Sequence, residues 1–210
     1  MASNAPIVAA VFASGNGSNA ENILRFAQNS GGRLSIPLLI CDKEGAGVLA
    51  RAEKLGVPRA VIPVEGKGRE ARRAQEDKIL ALLAKQGIKW AFLAGYMQII
   101  SPEFLKFFAD ETLGVNRVVN IHPSLLPQFP GKDGYGDAWN AGVKKSGVTL
   151  HYVDEGVDTG PVIAQKTFDR RDDDTLETFR ARGMELEYQI YTEFLASLIA
   201  ETAALKKEHA

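Results

Sequence analysis

The sequence predicts an α/β protein: one domain on a mainly parallel central sheet, with helices on both faces and mixed strands toward the C-terminus. Three observations lead there. Short apolar runs alternate with amphipathic stretches through the first half, and strand, helix, strand in regular succession implies parallel βαβ units. The second half ends in two apolar runs joined by a tight connection, followed by a long helical stripe. A length of 210 residues is enough to bury one full core. The single domain is expected to span 1–210 with its core over about 6–200. Its N-terminal half should cover about 6–115 and its C-terminal half about 116–200.

The elements follow in order. "PIVAAVF" at 6–12, "SIPLLIC" at 35–41, "RAVIPV" at 59–64 and "KWAFLAG" at 89–95 are the predicted strands of the first half. Between them "NAENILRFAQ", "AGVLARAEKLG" and "REARRAQEDKILALLAKQG" carry apolar residues at helical spacing. In the third, Ile79, Leu82, Leu83 and Gln86 follow a charged first half, and Gly87 supplies the stop. Ser101 and Pro102 open a short helix as N-cap and first helical residue. Strands follow at 118–122, 147–154 and 160–168. Asp174 and Glu177 have capping-box spacing ahead of a stripe of Leu176, Phe179, Leu186, Ile190, Phe194 and Leu198. The tail "KKEHA" is expected to fray.

Charge and composition exclude several classes. With 25 basic and 26 acidic side chains the net charge is −1, so no global field favours DNA, RNA or an anionic membrane. The lone Cys41 cannot form an internal disulfide, and no Cys/His cluster suggests zinc or another metal. The N-terminus has no basic leader before its apolar run, and no segment approaches the ~18 apolar residues of a membrane span. A cytoplasmic protein is expected.

Two stretches carry chemistry. In "VFASGNGSN", 11–19, a buried strand meets a glycine-bearing turn, and Ser18 with Glu21 has capping-box spacing. Gly15 and Gly17 let the backbone approach an anion, and a helix N-terminus offers N–H groups and partial positive charge. Ala20 stands where a dinucleotide fingerprint needs its third glycine, and only Asp42 could serve as its acidic residue, so a single phosphate is the better fit. A plain βα turn would also use these glycines. In "VVNIHPSLLPQFPG", 118–131, Asn120 and His122 interrupt a buried strand and point to the same side. Three prolines stiffen the loop that leaves the strand's carboxyl end, where α/β proteins bind ligands. Asp154, Glu155 and Asp158 in "DEGVDTGP" offer the histidine a carboxylate partner. An amide donor, an imidazole acid and an orienting carboxylate suit acyl transfer.

Together "SGNGSN", "LAGYMQIISP", "NIHPSLLPQFPG" and "DEGVDTGPVIAQ" resemble the glycinamide ribonucleotide formyltransferase family, folate-dependent enzymes of purine biosynthesis, from about residue 7 to 195. The resemblance implies a Rossmann-like formyltransferase fold and transfer of formyl from 10-formyltetrahydrofolate to glycinamide ribonucleotide, without metal. It assigns Asn120, His122 and Asp158 as the catalytic trio. It assigns Gly17, Ser18 and Asn19 to the ribonucleotide phosphate, and Glu187 to the ribonucleotide. Met97, Gln98, Ile99 and Ile100, with Asn120, would receive the folate. Arg69 matches an arginine near the folate, with Arg72 and Arg73 as alternatives. Gln98 stands where many relatives have arginine, and "KDGYG" at 132–136 replaces a histidine-containing segment of some relatives. Either a monomer or a homodimer fits. A hydrolase of the same formyl donor would not need a ribonucleotide loop, and a non-catalytic Rossmann-like nucleotide-binding domain would not need Asn120, His122 and Asp158.

Overall fold

In a computed structural model, residues 5–208 are described, the last three by backbone alone. Contacts gather into two compact units, one holding the chain up to Tyr96 together with Thr192 onward, the other Met97–Tyr191.

In the first unit β1 (Ile7–Ala13), α1 (Ser18–Gln28), β2 (Leu34–Cys41), α2 (Gly47–Lys54), β3 (Arg59–Val61), α3 (Gly68–Lys85) and β4 (Trp90–Leu93) alternate as predicted. The strands lie in the order β3-β2-β1-β4, every pair parallel. Ile7 pairs with Leu34 and Ala13 with Cys41. Successive strand residues face opposite sides, so the complete burial of Ala9 through Ala13 means that both faces of β1 are covered. Ile23 and Leu24, buried on α1, contribute to that cover. In α3, Ile79 and Leu83 are buried as expected, while Gln86 is exposed as the C-cap and Gln75 and Glu76 are buried one turn earlier. Gly87, at φ +65°, ends the helix.

The second unit opens with α4 (Pro102–Phe107), whose N-cap Ser101 accepts from the Phe104 N–H at 3.1 Å, as its sequence predicts. A small hairpin of β5 (Ala109–Asp110) and β6 (Val115–Asn116) was not anticipated. Then come β7 (Val118–His122), α5 (Gly134–Asn140), β8 (Lys145–Tyr152), β9 (Val162–Asp169) and α6 (Leu176–Glu208). β8 pairs antiparallel with both β7 and β9, giving the mixed C-terminal strands.

Two capping boxes are corrected. At α1 the N-cap is Gly17 in the left-handed region, Ser18 is already helical, and Glu21 turns to Arg25 and Arg51. At α6 the reciprocal bonds join Thr175 and Thr178, 3.0 and 3.2 Å, one residue beyond the expected pair. Asp174 instead accepts from the Arg171 N–H and pairs with Arg182. The buried face of α6 is also shifted. Phe179, Ile190 and Leu198 are buried as predicted, but Gly183, Glu187, Tyr191 and Leu195 complete the line, and Leu176, Leu186 and Phe194 lie on its half-buried flank. Tyr191 donates to the Val119 carbonyl of β7, and the Phe194 ring meets Trp90 and Phe92 of β4. The α6 backbone continues to Glu208, so Lys206 to Glu208 of the expected frayed tail are helical, while His209 and Ala210 lie outside the described residues.

Candidate active site

In an antiparallel pair, directly opposed residues share a face. Asn120 is opposed by His151, and His122 by Thr149, so the β7–β8 ribbon gathers four polar side chains on one side while Val119 and Ile121 face the other. Three of these, His122, Thr149 and His151, are almost wholly enclosed. A buried polar face requires internal partners, and each is supplied.

His122 Nε2–H donates to the Phe129 carbonyl at 2.8 Å, and Nδ1 lies 3.2 Å from Asp158 Oδ2. Both ring nitrogens therefore face groups that only accept, an arrangement satisfied in full by the imidazolium form. His151 Nδ1–H donates to the Tyr152 carbonyl at 2.8 Å. Its Nε2 stands 3.2 Å from Asn120 Nδ2 and 3.6 Å from Asp158 Oδ1, accepting the amide proton when neutral and facing the carboxylate when charged. Asp158 also accepts from the Gly131 N–H at 2.8 Å. Burial pushes the Asp158 carboxyl up, but the His151 hydrogen bond, the Gly131 N–H and the His122 charge outweigh it and hold it below the usual carboxylate range. Of the three carboxylates in the loop, Asp158 is thus the partner of His122. Asp154 accepts from the Gly156 N–H and the Thr159 hydroxyl, shaping the turn itself.

The proline loop is braced from behind. Thr149 Oγ1 donates to the Ser124 carbonyl at 2.7 Å and accepts from the Leu126 N–H at 3.0 Å and Gln165 Nε2 at 2.9 Å. Gln165 also donates to the Leu126 carbonyl, and Leu126–Pro127 is cis. Phe129 and Asp158 are the non-glycine residues with positive φ, +53° and +55°, among the described residues. Both are partners of His122, so backbone strain is concentrated where the imidazole is held.

In the first unit, the 14–19 loop leaves the carboxyl end of β1. Gly17 at φ +78° packs so tightly on α2 that a Cβ would lie 2.3–2.8 Å from Val48, including its Cα. Gly15 has open space beside it. Arg51 donates to the Asn16 carbonyl at 2.8 Å and pairs with Glu21, and the Val48 N–H donates to the Gly15 carbonyl. Ser18 and Asn19 open α1, where the first N–H groups have no helical carbonyl ahead of them.

The remaining predicted residues are distributed as follows. Met97 and Ile99 are 48% and 63% exposed, Gln98 is half-buried, and Ile100 is buried, so its side chain is not part of an exposed apolar wall. Arg69 is exposed on the first turn of α3, as is Arg73 a turn later, with Arg72 half-buried. Glu187 is buried and accepts from the Tyr135 hydroxyl. The sequence reading missed His151, Thr149 and Tyr135. The first two were visible as polar residues at alternate positions of the otherwise apolar strand "GVTLHYV".

A buried imidazole set between a carboxylate and a carbonyl, beside an amide donor, is an arrangement suited to acyl transfer. The chain belongs to the formyl transferase family, whose model matches residues 8–195. It is 43% identical over 190 residues to the phosphoribosylglycinamide formyltransferase of Bacillus subtilis strain 168, covering 90% of this chain and 93% of that protein. Among solved structures, the phosphoribosylglycinamide formyltransferase of Streptococcus pneumoniae TIGR4 matches with a TM-score of 0.80 at 43% identity, covering 90% of this chain and 97% of that one. The enzyme of the same name from Bacillus halodurans gives 0.83 at 38% identity, covering 93% and 96%.

Proposed function

We propose that this chain transfers the formyl group of 10-formyltetrahydrofolate to the primary amine of glycinamide ribonucleotide, giving formylglycinamide ribonucleotide and tetrahydrofolate in purine biosynthesis. The observation that carries this reading is His122, held between Asp158 and the Phe129 carbonyl on the polar face that also presents Asn120. The amine attacks the formyl carbon. The developing oxyanion takes hydrogen bonds from Asn120 Nδ2 and from His122, whose proton rests on a neutral carbonyl in the free protein. A charged oxygen is the stronger acceptor, so this contact strengthens in the transition state and favours the step. Such a donor is worth about 3–4 kcal/mol of barrier. Asp158 holds the ring, and a water relays the amine proton to N10 of the folate as the formyl carbon–N10 bond breaks and tetrahydrofolate leaves.

The backbone of Gly17, Ser18 and Asn19 at the start of α1 receives the ribonucleotide phosphate, and Glu187 accepts from the ribonucleotide. The folate takes the stretch Met97, Gln98, Ile99 and Ile100, with Met97 and Ile99 offering apolar surface and Ile100 its backbone, together with Asn120 and Arg69 or its neighbours Arg72 and Arg73. The chain folds as one cooperative domain and works in the cytoplasm as a monomer or homodimer. No helix among the described residues is long and apolar enough to cross a membrane.

The test is formyl transfer followed spectroscopically with both substrates. Product should form only when donor and ribonucleotide are both present. Release of formate at the same rate without the ribonucleotide would mark a hydrolase instead.

A further inference from the structure

The 14–19 loop is gripped from α2, and the grip falls on its peptide groups. The Gly15 carbonyl accepts from the Val48 N–H at 3.1 Å. The Asn16 carbonyl accepts from Arg51 Nε at 2.8 Å, and Asn16 Oδ1 from Arg51 Nη2 at 3.3 Å. Gly47 permits this approach, since a Cβ there would lie 3.0 Å from Asn16 Oδ1 and 3.3 Å from the Asn16 Cα and carbonyl oxygen. The remaining edge of the guanidinium, Nη1, pairs with Glu21 in the first turn of α1, which Arg25 also holds at 2.7 and 2.9 Å. Arg51 therefore ties Asn16 to the start of the helix that follows it.

A trans peptide points its C=O and its N–H in opposite directions. The Asn16 carbonyl and the Gly17 N–H share one such group, so the arginine that draws the carbonyl toward α2 turns the Gly17 N–H away from α2. The Val48 N–H acts likewise on the Gly15 carbonyl and the Asn16 N–H. Gly15 and Asn16 are exposed, and successive N–H groups turned away from their support form the kind of concavity that binds anions. A cationic donor on the carbonyl also polarises the peptide and makes its N–H the better donor. The hydrogen bonds of Arg25 and Arg51 hold the Glu21 carboxyl below the usual carboxylate range, so the pair that fixes the guanidinium persists at neutral pH.

We propose that Arg51 is a positioning residue for the ribonucleotide phosphate, orienting the peptide between Asn16 and Gly17 so that its N–H faces the anion. This rests on the reading of the loop as the phosphate site. A staple between α1 and α2 would need only the Glu21 pair, whereas the two hydrogen bonds to Asn16 direct the guanidinium at the loop.

Two variants separate grip from charge. Arg51→Lys keeps a cation beside Glu21 but loses the planar fork that reaches Asn16 and Glu21 together, and Arg51→Gln removes the charge as well. With the purified full chain and saturating 10-formyltetrahydrofolate, the KM for glycinamide ribonucleotide should rise roughly tenfold in both. The inhibition constant of inorganic phosphate against the ribonucleotide should rise by a similar factor, while kcat and the folate KM stay within about twofold. A lower Tm with unchanged ribonucleotide KM would make Arg51 a plain staple and overturn the proposal. Full retention of the wild-type KM by Arg51→Lys would overturn it too, because charge alone would then suffice. Gly15→Ala, measured in parallel, tells the two readings apart. If it raises the ribonucleotide KM and the Arg51 variants do not, only the role of Arg51 fails. If none of the three raises it, the loop is not the phosphate site and both readings fail.

Discussion

At the residue scale the two glycines of the first loop separate binding from packing. Gly17 is pinned by Val48 and by its left-handed backbone, so Gly17→Val should lower Tm and impair both substrates alike. Gly15 has no such neighbour and no positive φ, so Gly15→Ala should leave Tm unchanged and raise the ribonucleotide KM roughly tenfold, ~1.4 kcal/mol, with the folate KM constant. Unchanged kinetics in Gly15→Ala would remove this loop from the phosphate site. Asp158→Asn tests the charge beside His122. The carboxylate faces His122 Nδ1 at 3.2 Å and is itself held below the usual carboxylate range. Asp158→Asn keeps the shape but removes the charge, so kcat should fall by at least roughly tenfold with both KM values changed little. An unchanged kcat would show that this carboxylate takes no part in the reaction.

At the element scale, the loop between β7 and α5 depends on β8 and β9 for its shape. Thr149→Val preserves volume but strips the Ser124 carbonyl, the Leu126 N–H and Gln165 of a buried partner. Each group left unsatisfied costs about 1–3 kcal/mol, so the denaturation midpoint should fall, and kcat with it as the Phe129 carbonyl shifts from His122. A lower midpoint with unchanged kcat would show that the brace does not reach the imidazole. For the stretch 97–100, a folate analogue should slow amide hydrogen exchange, and protection confined to other segments would move the folate elsewhere. Most elements were legible because their apolar pattern leaves one solution: "IVAAVFA" is enclosed on both faces and "VVNIH" alternates. α5 was not, because Gly134 and Gly136 are poor helix formers and its signal is Asp133 capping from outside. The register of α6 was read one flank off because its buried residues recur every four positions from Phe179 to Tyr191, a period that apolar residues alone do not reveal when Gly183 and Glu187 belong to it. Asn120, His122 and Asp158 could be picked out from polarity and loop position, whereas the geometry that makes Phe129 an acceptor depends on a backbone that no side chain announces.

At the scale of the whole molecule, acid should weaken the fold in a defined window. Asp110 is pushed up by burial, yet the Leu113 N–H, Arg117 and the Thr112 N–H leave its carboxyl below the usual range, and Asp158 behaves likewise. A depressed carboxyl contributes stability above its unfolded value, about 3.9, and loses it as pH falls through the folded value. Tm should hold above about pH 5 and drop below about pH 4, and Asp110→Asn should flatten that drop. An equally steep drop in the variant would place the acid sensitivity elsewhere. The central claim is that the polar side of β7 carries out formyl transfer, and the most direct measurement is steady-state transfer from 10-formyltetrahydrofolate to glycinamide ribonucleotide by wild type and His122→Ala. The account predicts a kcat lower by about 10²–10³ in the variant, with both KM values within a few-fold, since the lost contact belongs to the transition state. A variant that kept near-normal kcat would contradict it and leave His122 a buried structural histidine.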